Sequence, residues 1–249
     1  MAVRYFWTTI VLLSTLVGGD AVAQQAHVAV ATNFRIVAEH LAQSYAGQSD
    51  QEVIIASGST GKLYTQITHG APYDLFLAAD QERPRRLVDE GLAVASSLQT
   101  YATGQLVLVG QNPVSQARLE LGQYRSLAIA NPKLAPYGLA ANETLEHLKI
   151  RESVYDKLVL GENVGQAYAL VATGNAELGL VARSLLHSDV RLADTMQTWL
   201  IPQDHHSPIH QDLVLLNRGA QNTVAKNFMA FILSPTGQTM INDAGYGHL

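Results

Sequence analysis

Strand-length apolar runs alternate with helical patterns along the first part of the chain, and this order constrains the fold more than any other feature. The runs at 27–31, 52–57 and 73–80 are each followed by a segment whose apolar residues recur at helical spacing. A repeated strand–helix order predicts a parallel sheet with helices on both of its faces. The sequence therefore predicts an α/β protein.

The alternation restarts after residue 104, which predicts a second sheet. Further strands are expected at 104–110, 126–132, 155–161, 176–182 and 210–216. The strands at 104–110 and 210–216 are the candidate crossovers between two lobes. We expect a first lobe of residues 24–104 plus 211–249 and a second lobe of residues 105–210, each a mostly parallel sheet flanked by helices. A ligand cleft is expected between the lobes, at the carboxyl ends of the strands.

The N-terminal residues 1–23 are typical of a secretory signal. Arg4 precedes an apolar stretch at 5–17, and Ala21-Val22-Ala23 forms an A-x-A cleavage pattern. The apolar stretch is shorter than the ~20 residues that a membrane-spanning helix needs. We therefore expect export and cleavage after Ala23, with an uncleaved membrane anchor as the alternative.

Charge and cysteine content limit the possible partners and cross-links. The net charge is −5, and removing residues 1–23 takes away one Arg and one Asp, so it does not change. No basic run is present, which argues against nucleic acid as a partner. The chain has no cysteine, so no disulfide stabilises the exported protein. An anionic ligand would have to be attracted by its own site.

The stretch ASGSTGKLYTQI at 56–67 looks like a phosphate-binding loop but fails that pattern. Leu63 follows Gly61-Lys62 where a nucleotide-binding loop needs Ser or Thr, and Ala56 stands where its first Gly should be. A nucleophile elbow needs Gly before the central serine, and here Ser57 stands at that position before Ser59. A secreted hydrolase that uses Ser57 or Ser59 stays a minor alternative.

Four predicted helix starts follow strands in the same way. They carry Thr32-Asn33, Ser59-Thr60, Tyr137 and Val164, two from each lobe. The first N–H groups of a helix have no partner inside the helix, and the dipole there is positive, so such a start can bind an anion. Alternatively, Ser59 or Thr60 caps its own helix. Four starts meeting at a cleft would form a ring of donors suited to a small, fully deprotonated oxyanion.

His205, His206 and His210 lie close together in the segment QDHHSPIHQ. Imidazoles suit zinc or copper, so a metal site is conceivable. No carboxylate–histidine pattern with helical spacing supports it, and we expect a solvated loop instead.

The chain resembles the periplasmic molybdate- and tungstate-binding proteins that serve ABC transporters. The matching pieces are ATNF, SGSTGKLYTQITHGAPYDLFLAAD, IANPKLAPYGLAA, NVGQAYALVATGNAELGLVA and AGYGHL, in the order of the family and over nearly the whole mature chain. The resemblance implies the two-lobed type 2 periplasmic binding protein fold. It also implies a periplasmic monomer with no enzyme activity and no cofactor, which delivers its oxyanion to a permease in the inner membrane.

The resemblance also implies the ligand contacts. These are Thr32, Asn33, Ser59, Thr60, Tyr137 and Val164, acting through hydroxyls and backbone N–H groups with no direct metal-ion ligand. Asn33 is expected to donate from its backbone and its side chain. Some relatives carry a tyrosine where this chain has Ala182, so one donor is absent or is replaced by Tyr137. Another oxyanion such as sulfate, or a small organic anion, is the alternative ligand.

Overall fold

The computed structural model describes residues 25–46, 51–187 and 195–247. The predicted signal segment and its cleavage point after Ala23 lie outside the described residues. Within them, ten strands form two sheets of five strands each. The strands are β1 (Gln25–Ala31), β2 (Glu52–Gly58), β3 (Leu75–Leu77), β4 (Gln99–Gly104), β5 (Leu106–Gly110), β6 (Leu127–Ala130), β7 (Leu158–Gly161), β8 (Leu178–Ala182), β9 (Gln197–Leu200) and β10 (Ile209–Leu215).

The two sheets have the same arrangement of strands. The first has the order β2-β1-β3-β10-β4 and the second the order β7-β6-β8-β5-β9. In each sheet the first three strands are parallel, and the last two pairings are antiparallel. The strands β10 and β5 run antiparallel because each enters its sheet directly from the other one. The parallel strands confirm the predicted α/β class, and the two extra strands make the sheets mixed.

Helices cover both sheets. They are α1 (Arg35–Ala46), α2 (Thr60–Thr68), α3 (Glu82–Asp89), α4 (Gln116–Glu120), α5 (Pro136–His147), α6 (Val164–Ala172), α7 (Arg183–His187), α8 (Thr223–Leu233) and α9 (Pro235–Asp243). A 3-10 turn at Thr32–Phe34 leads directly into α1, so that helix effectively begins at Thr32. Among the described residues, no helix combines the length and the apolar character needed to cross a membrane.

Each sheet and the helices packed on it form one half of the molecule. The first half contains β1–β4, β10, α1–α3, α8 and α9, and the second half contains β5–β9 and α4–α7. Only Gln105 separates β4 from β5, whereas residues 201–208 separate β9 from β10. The chain thus crosses twice near the predicted positions. Strand β10 begins at Ile209, two residues before the predicted lobe boundary at 211. The division into lobes at 104/105 and 210/211 stays a prediction.

The cores explain how the site is held. In the first half, Phe34 is fully buried and packs edge-on against Tyr101 and Tyr246, with ring centroids 4.7 and 5.4 Å apart. These rings fix the chain where β1 ends. In the second half, the small residues Ala140 and Ala167 are buried, which lets α5 and α6 approach β6 closely. The helix starts are therefore supported by rigid packing.

Candidate functional site

Four helices begin beside one small cavity between the two halves. Their first residues are Thr32, Thr60, Pro136 and Val164. All six residues predicted to contact a ligand line this cavity, together with six others, most of them small. The lining residues are Ala31, Thr32, Asn33, Gly58, Ser59, Thr60, Ala79, Ala135, Pro136, Tyr137, Asn163 and Val164.

The cavity has the size of a small ion. Its volume is about 10 Å³. That is far below the about 300–1,000 Å³ of pockets that hold drug-sized molecules. The cavity is therefore too small for most organic ligands.

None of the described residues that line the cavity has a charged side chain. Electrostatic attraction must therefore come from the helix starts, whose first N–H groups lack partners within their own helices. At three of the four starts no side chain caps the helix, so these donors are not used by a capping residue. The exception is Asn163, whose side-chain oxygen accepts from the Gln166 N–H at 3.0 Å.

Two hydroxyl groups beside the cavity are buried without partners. The Oγ1 of Thr32 and the Oγ of Ser59 have no hydrogen bond to the described residues. Ser59 occupies the N-cap position of α2, yet its hydroxyl does not cap the helix. The alternative that Ser59 serves as a cap is therefore wrong. A buried hydroxyl without a partner costs free energy, so both groups are suited to a bound acceptor.

Thr60 is held in place by the neighbouring loop. Its Oγ1 accepts a hydrogen bond from the Ala79 N–H at 3.1 Å, so it does not cap α2 either. A hydroxyl that accepts one bond still has its own proton to donate. Thr60 is thus positioned by Ala79 and retains one side-chain donor.

The side chain of Asn33 is used by the protein itself. Its Nδ2 donates to the Oε1 of Gln211 at 3.0 Å and to the hydroxyl of Tyr246 at 2.9 Å. Both hydrogens of the amide group are then engaged, which does not fit the expected donation from this side chain to a ligand. The backbone N–H of Asn33, as the second residue of its helix, is the group that fits this role.

Tyr137 lines the cavity, but its hydroxyl is bonded to another residue of the protein. Its hydroxyl is fully buried and accepts from the Nε2 of Gln211 at 3.3 Å, next to Gly104 where the chain crosses between sheets. Ala182 is fully buried at the end of β8 and does not line the cavity. Whether Tyr137 replaces a donor that relatives carry at the position of Ala182 stays a prediction.

The two halves touch along the rim of the cavity. The Gly61 N–H donates to the Leu134 carbonyl at 2.9 Å, and the Lys62 ammonium lies 3.0 Å from the Glu162 carboxylate. The Lys62 side chain is 53% exposed, as expected for a residue that faces solvent. Lys62 therefore bridges the halves outside the cavity instead of binding inside it.

The predicted solvated histidine loop is only partly correct. His210 is exposed, but His205 is buried and stacks on His147 with ring centroids 4.3 Å apart, beside Trp199. The prediction missed His205 because three neighbouring histidines suggested only polarity, whereas stacking buries one ring. Among the described residues, no group of three or more His, Asp or Glu side chains could hold a metal ion.

The structure gives the hydrolase alternative no support at Ser59. An attacking serine needs a base within hydrogen-bond reach, and the Ser59 hydroxyl has no hydrogen-bond partner among the described residues. Ser57 is exposed on β2 and is not among the residues that line the cavity.

Three tyrosines behind the cavity carry strongly shifted pKa values. Burial raises the pKa of Tyr101, Tyr137 and Tyr246 above the ordinary value of 10.0. The folded protein therefore keeps these protons at a pH where the unfolded chain loses them. The unfolded state then binds fewer protons, and the free energy of unfolding falls as the pH rises above 10.

This linkage predicts a steep loss of stability in alkali. Each buried tyrosine is expected to lower the free energy of unfolding by about 1.4 kcal/mol per pH unit above pH ~10. Urea unfolding between pH 8 and 11.5 measures the slope. In Tyr101→Phe one such group is missing, so the slope should be smaller by about that amount. Equal slopes for the two proteins would contradict the prediction.

The amino-acid sequence matches one protein-family model and is similar to two molybdate-binding proteins. Residues 26–247 match the model of the family described as bacterial extracellular solute-binding protein. The chain is 40% identical over 229 residues to the molybdate-binding protein ModA of Rhodobacter capsulatus, covering 91% of this chain and 89% of the relative. It is 41% identical over 231 residues to the molybdate-binding protein ModA of Azotobacter vinelandii, covering 91% of each.

The fold also matches a solved structure over most of its length. The periplasmic molybdate-binding protein of Azotobacter vinelandii superposes with a TM-score of 0.83 at 36% identity, covering 90% of this chain and 99% of that one. The two five-stranded sheets and their connections are therefore those of a solute-binding protein.

Proposed function

The chain belongs to the family of bacterial extracellular solute-binding proteins, and from this premise we propose its ligand and its role in transport. It captures molybdate, and tungstate with it, in the periplasm. It then presents the ion to the permease of an ABC transporter. The ligand is held by Thr32, Asn33, Ser59, Thr60, Tyr137 and Val164, which all line one cavity.

The uncharged, donor-lined cavity is the observation that carries this proposal. It has no Asp or Glu in its lining, two hydroxyls without protein partners, and four helix starts beside it. A buried dianion would be strongly destabilised without compensation. Hydrogen bonds to a charged acceptor contribute roughly 1.5–3 kcal/mol each, and each helix start adds about 0.3–2 kcal/mol. Six or more such contacts offset a large desolvation cost.

The same arrangement favours a fully deprotonated tetrahedral ion. A hydrogen phosphate O–H would find no carboxylate acceptor in the lining. Sulfate carries the same charge as molybdate but is smaller, so a rigid ring of amides would hold it with longer and weaker contacts. Size and protonation state together therefore favour molybdate and tungstate.

Calorimetric titration of the mature chain with molybdate, tungstate, sulfate and phosphate tests the proposal. We expect tight binding of molybdate and tungstate and at least about a hundredfold weaker binding of sulfate and phosphate, a difference of ~2.7 kcal/mol. A ligand-dependent rise of the melting temperature should accompany binding, with no product formed. Sulfate binding of comparable strength would replace molybdate by sulfate as the ligand.

A further inference from the structure

The side chain of Gln211 is a fully buried amide that connects the two halves. Its Oε1 accepts from the Nδ2 of Asn33 at 3.0 Å and from the hydroxyl of Tyr101 at 3.1 Å. Its Nε2 donates to the hydroxyl of Tyr137 at 3.3 Å. Asn33 and Tyr101 belong to the first half, whereas Tyr137 is the second residue of helix α5 in the second half.

An irregularity in the pairing of β10 with β4 lies beside this side chain. The register between β10 and β4 shifts between Gln211 and Asp212, which is the signature of a bulge. Both residues are buried, and Asp212 accepts from Thr100 at 2.7 Å and from Gln81 at 3.0 Å within the first half. The extra residue lies in β4, because Gln211 pairs with Ala102 and Asp212 with Thr100, which leaves Tyr101 without a partner in β10. A bulge can re-aim the side chain of the extra residue, and the Tyr101 hydroxyl donates to the Gln211 Oε1.

Two of the three partners of Gln211, Asn33 and Tyr137, line the anion cavity, whereas Tyr101 and Gln211 do not. Asn33 and Tyr137 are the second residues of two helices, one in each half. Gly104, at the first crossing between the sheets, packs on the same group. A Cβ there would lie 2.3 Å from the Tyr137 hydroxyl and 2.8 Å from the Gln211 Nε2. The amide therefore sits where the crossing meets two of the proposed ligand-binding helix starts.

We propose that Gln211 is a positioning residue for oxyanion binding. It fixes the helix starts at Asn33 and Tyr137 relative to each other, and it stabilises the contact between the halves from behind the cavity. This inference rests on the proposed function. Its consequence is kinetic: the bond to Tyr137 must break before the halves separate, so Gln211 slows the release of the ligand.

The variant Gln211→Met tests this role because methionine keeps the length of the side chain and removes its hydrogen bonds. The dissociation rate of molybdate, measured by stopped-flow fluorescence, is expected to rise at least about tenfold, with the association rate changed less than about threefold. The control is Ser97→Ala. Ser97 is also buried against β10, where its Oγ accepts from the Leu215 N–H at 2.9 Å, but it lies away from the cavity. Ser97→Ala should lower the stability of the protein about as much as Gln211→Met does, but its dissociation rate for molybdate should equal that of the wild type.

Hydrogen exchange of the protein without molybdate provides a second readout. In Gln211→Met, the backbone amides of residues 31–37 and 135–141 should exchange faster than in the wild type, whereas Ser97→Ala should not affect them. If both variants lose stability equally and release molybdate at the wild-type rate, Gln211 is only structural. If the wild type binds neither molybdate nor tungstate, the proposed function fails, and the exchange rates alone decide the positioning role: unchanged exchange in Gln211→Met overturns it.

Discussion

Gly165→Val is expected to abolish tight oxyanion binding while the protein stays folded. Gly165 is the second residue of α6, and a Cβ at this position would lie 2.4 Å from the Cγ2 of Thr32 in the other half. The overlap falls between the two halves, so it is relieved when they move apart. Inserting methyl groups into a packed contact costs about 1–3 kcal/mol, and a branched side chain lies at the upper end. We expect at least about a hundredfold weaker binding of molybdate.

The control for this variant is Gly138→Ala. A Cβ at Gly138 would lie 2.3 Å from the Ala130 carbonyl oxygen within the second half, so separation of the halves cannot relieve it. Gly138→Ala should lower the melting temperature of the unliganded protein, whereas Gly165→Val should lower it little. Titration calorimetry and thermal unfolding separate the two effects. Wild-type affinity in Gly165→Val would show that the ion does not need the observed contact between α6 and Thr32.

The second large effect is expected from removing both hydroxyls that lack partners. In the double variant Thr32→Val, Ser59→Ala, binding of molybdate should weaken by about 3–6 kcal/mol, since each hydrogen bond to a charged acceptor contributes about 1.5–3 kcal/mol. The unliganded protein should be equally stable or more stable, because buried hydroxyls without partners are removed. Opposite effects on affinity and stability are the signature of groups that serve the ligand alone.

Thr60→Val provides the comparison. The Oγ1 of Thr60 accepts from the Ala79 N–H, so valine leaves a buried donor unpaired and lowers the stability of the unliganded protein. Its effect on affinity should stay within the contribution of one hydrogen bond, about 1.5–3 kcal/mol. If the double variant binds molybdate as the wild type does, Thr32 and Ser59 are not ligands through their hydroxyls, and the ion would be held by Thr60 and backbone N–H groups.

The sequence predicted the class of fold, and the structure brings the six predicted ligand contacts to one cavity. Alternating apolar strands and helical patterns specify a parallel core, because only strands buried on both faces read as continuous apolar runs. The helix starts at Thr32, Thr60, Pro136 and Val164 could be located because each comes soon after a strand. Parallel strands end at the same edge of a sheet, which is why these starts meet.

The side-chain network behind the cavity could not be predicted. Gln211 lies in a run that reads as an ordinary strand, and its role depends on bonds to Asn33, Tyr101 and Tyr137, which are distant in the sequence. The engagement of the Asn33 amide by Gln211 and Tyr246 depends on residues 178 and 213 positions away. The strands β4 and β9 were missed as well, because the polar residues in QTYATG and QTWL break the apolar run.

The position of β10 inside the first sheet also determines the order in which the molecule can be completed. It lies between β3 and β4, although residues 106–200, which supply all five strands of the other sheet, separate it from them in the chain. The strands of the second sheet are contiguous in sequence, so they can pair before β10 is available. In the first sheet, β3 and β4 each keep one edge unpaired until residues 209–215 are in place. The second sheet can therefore be completed while the first is still divided into two parts.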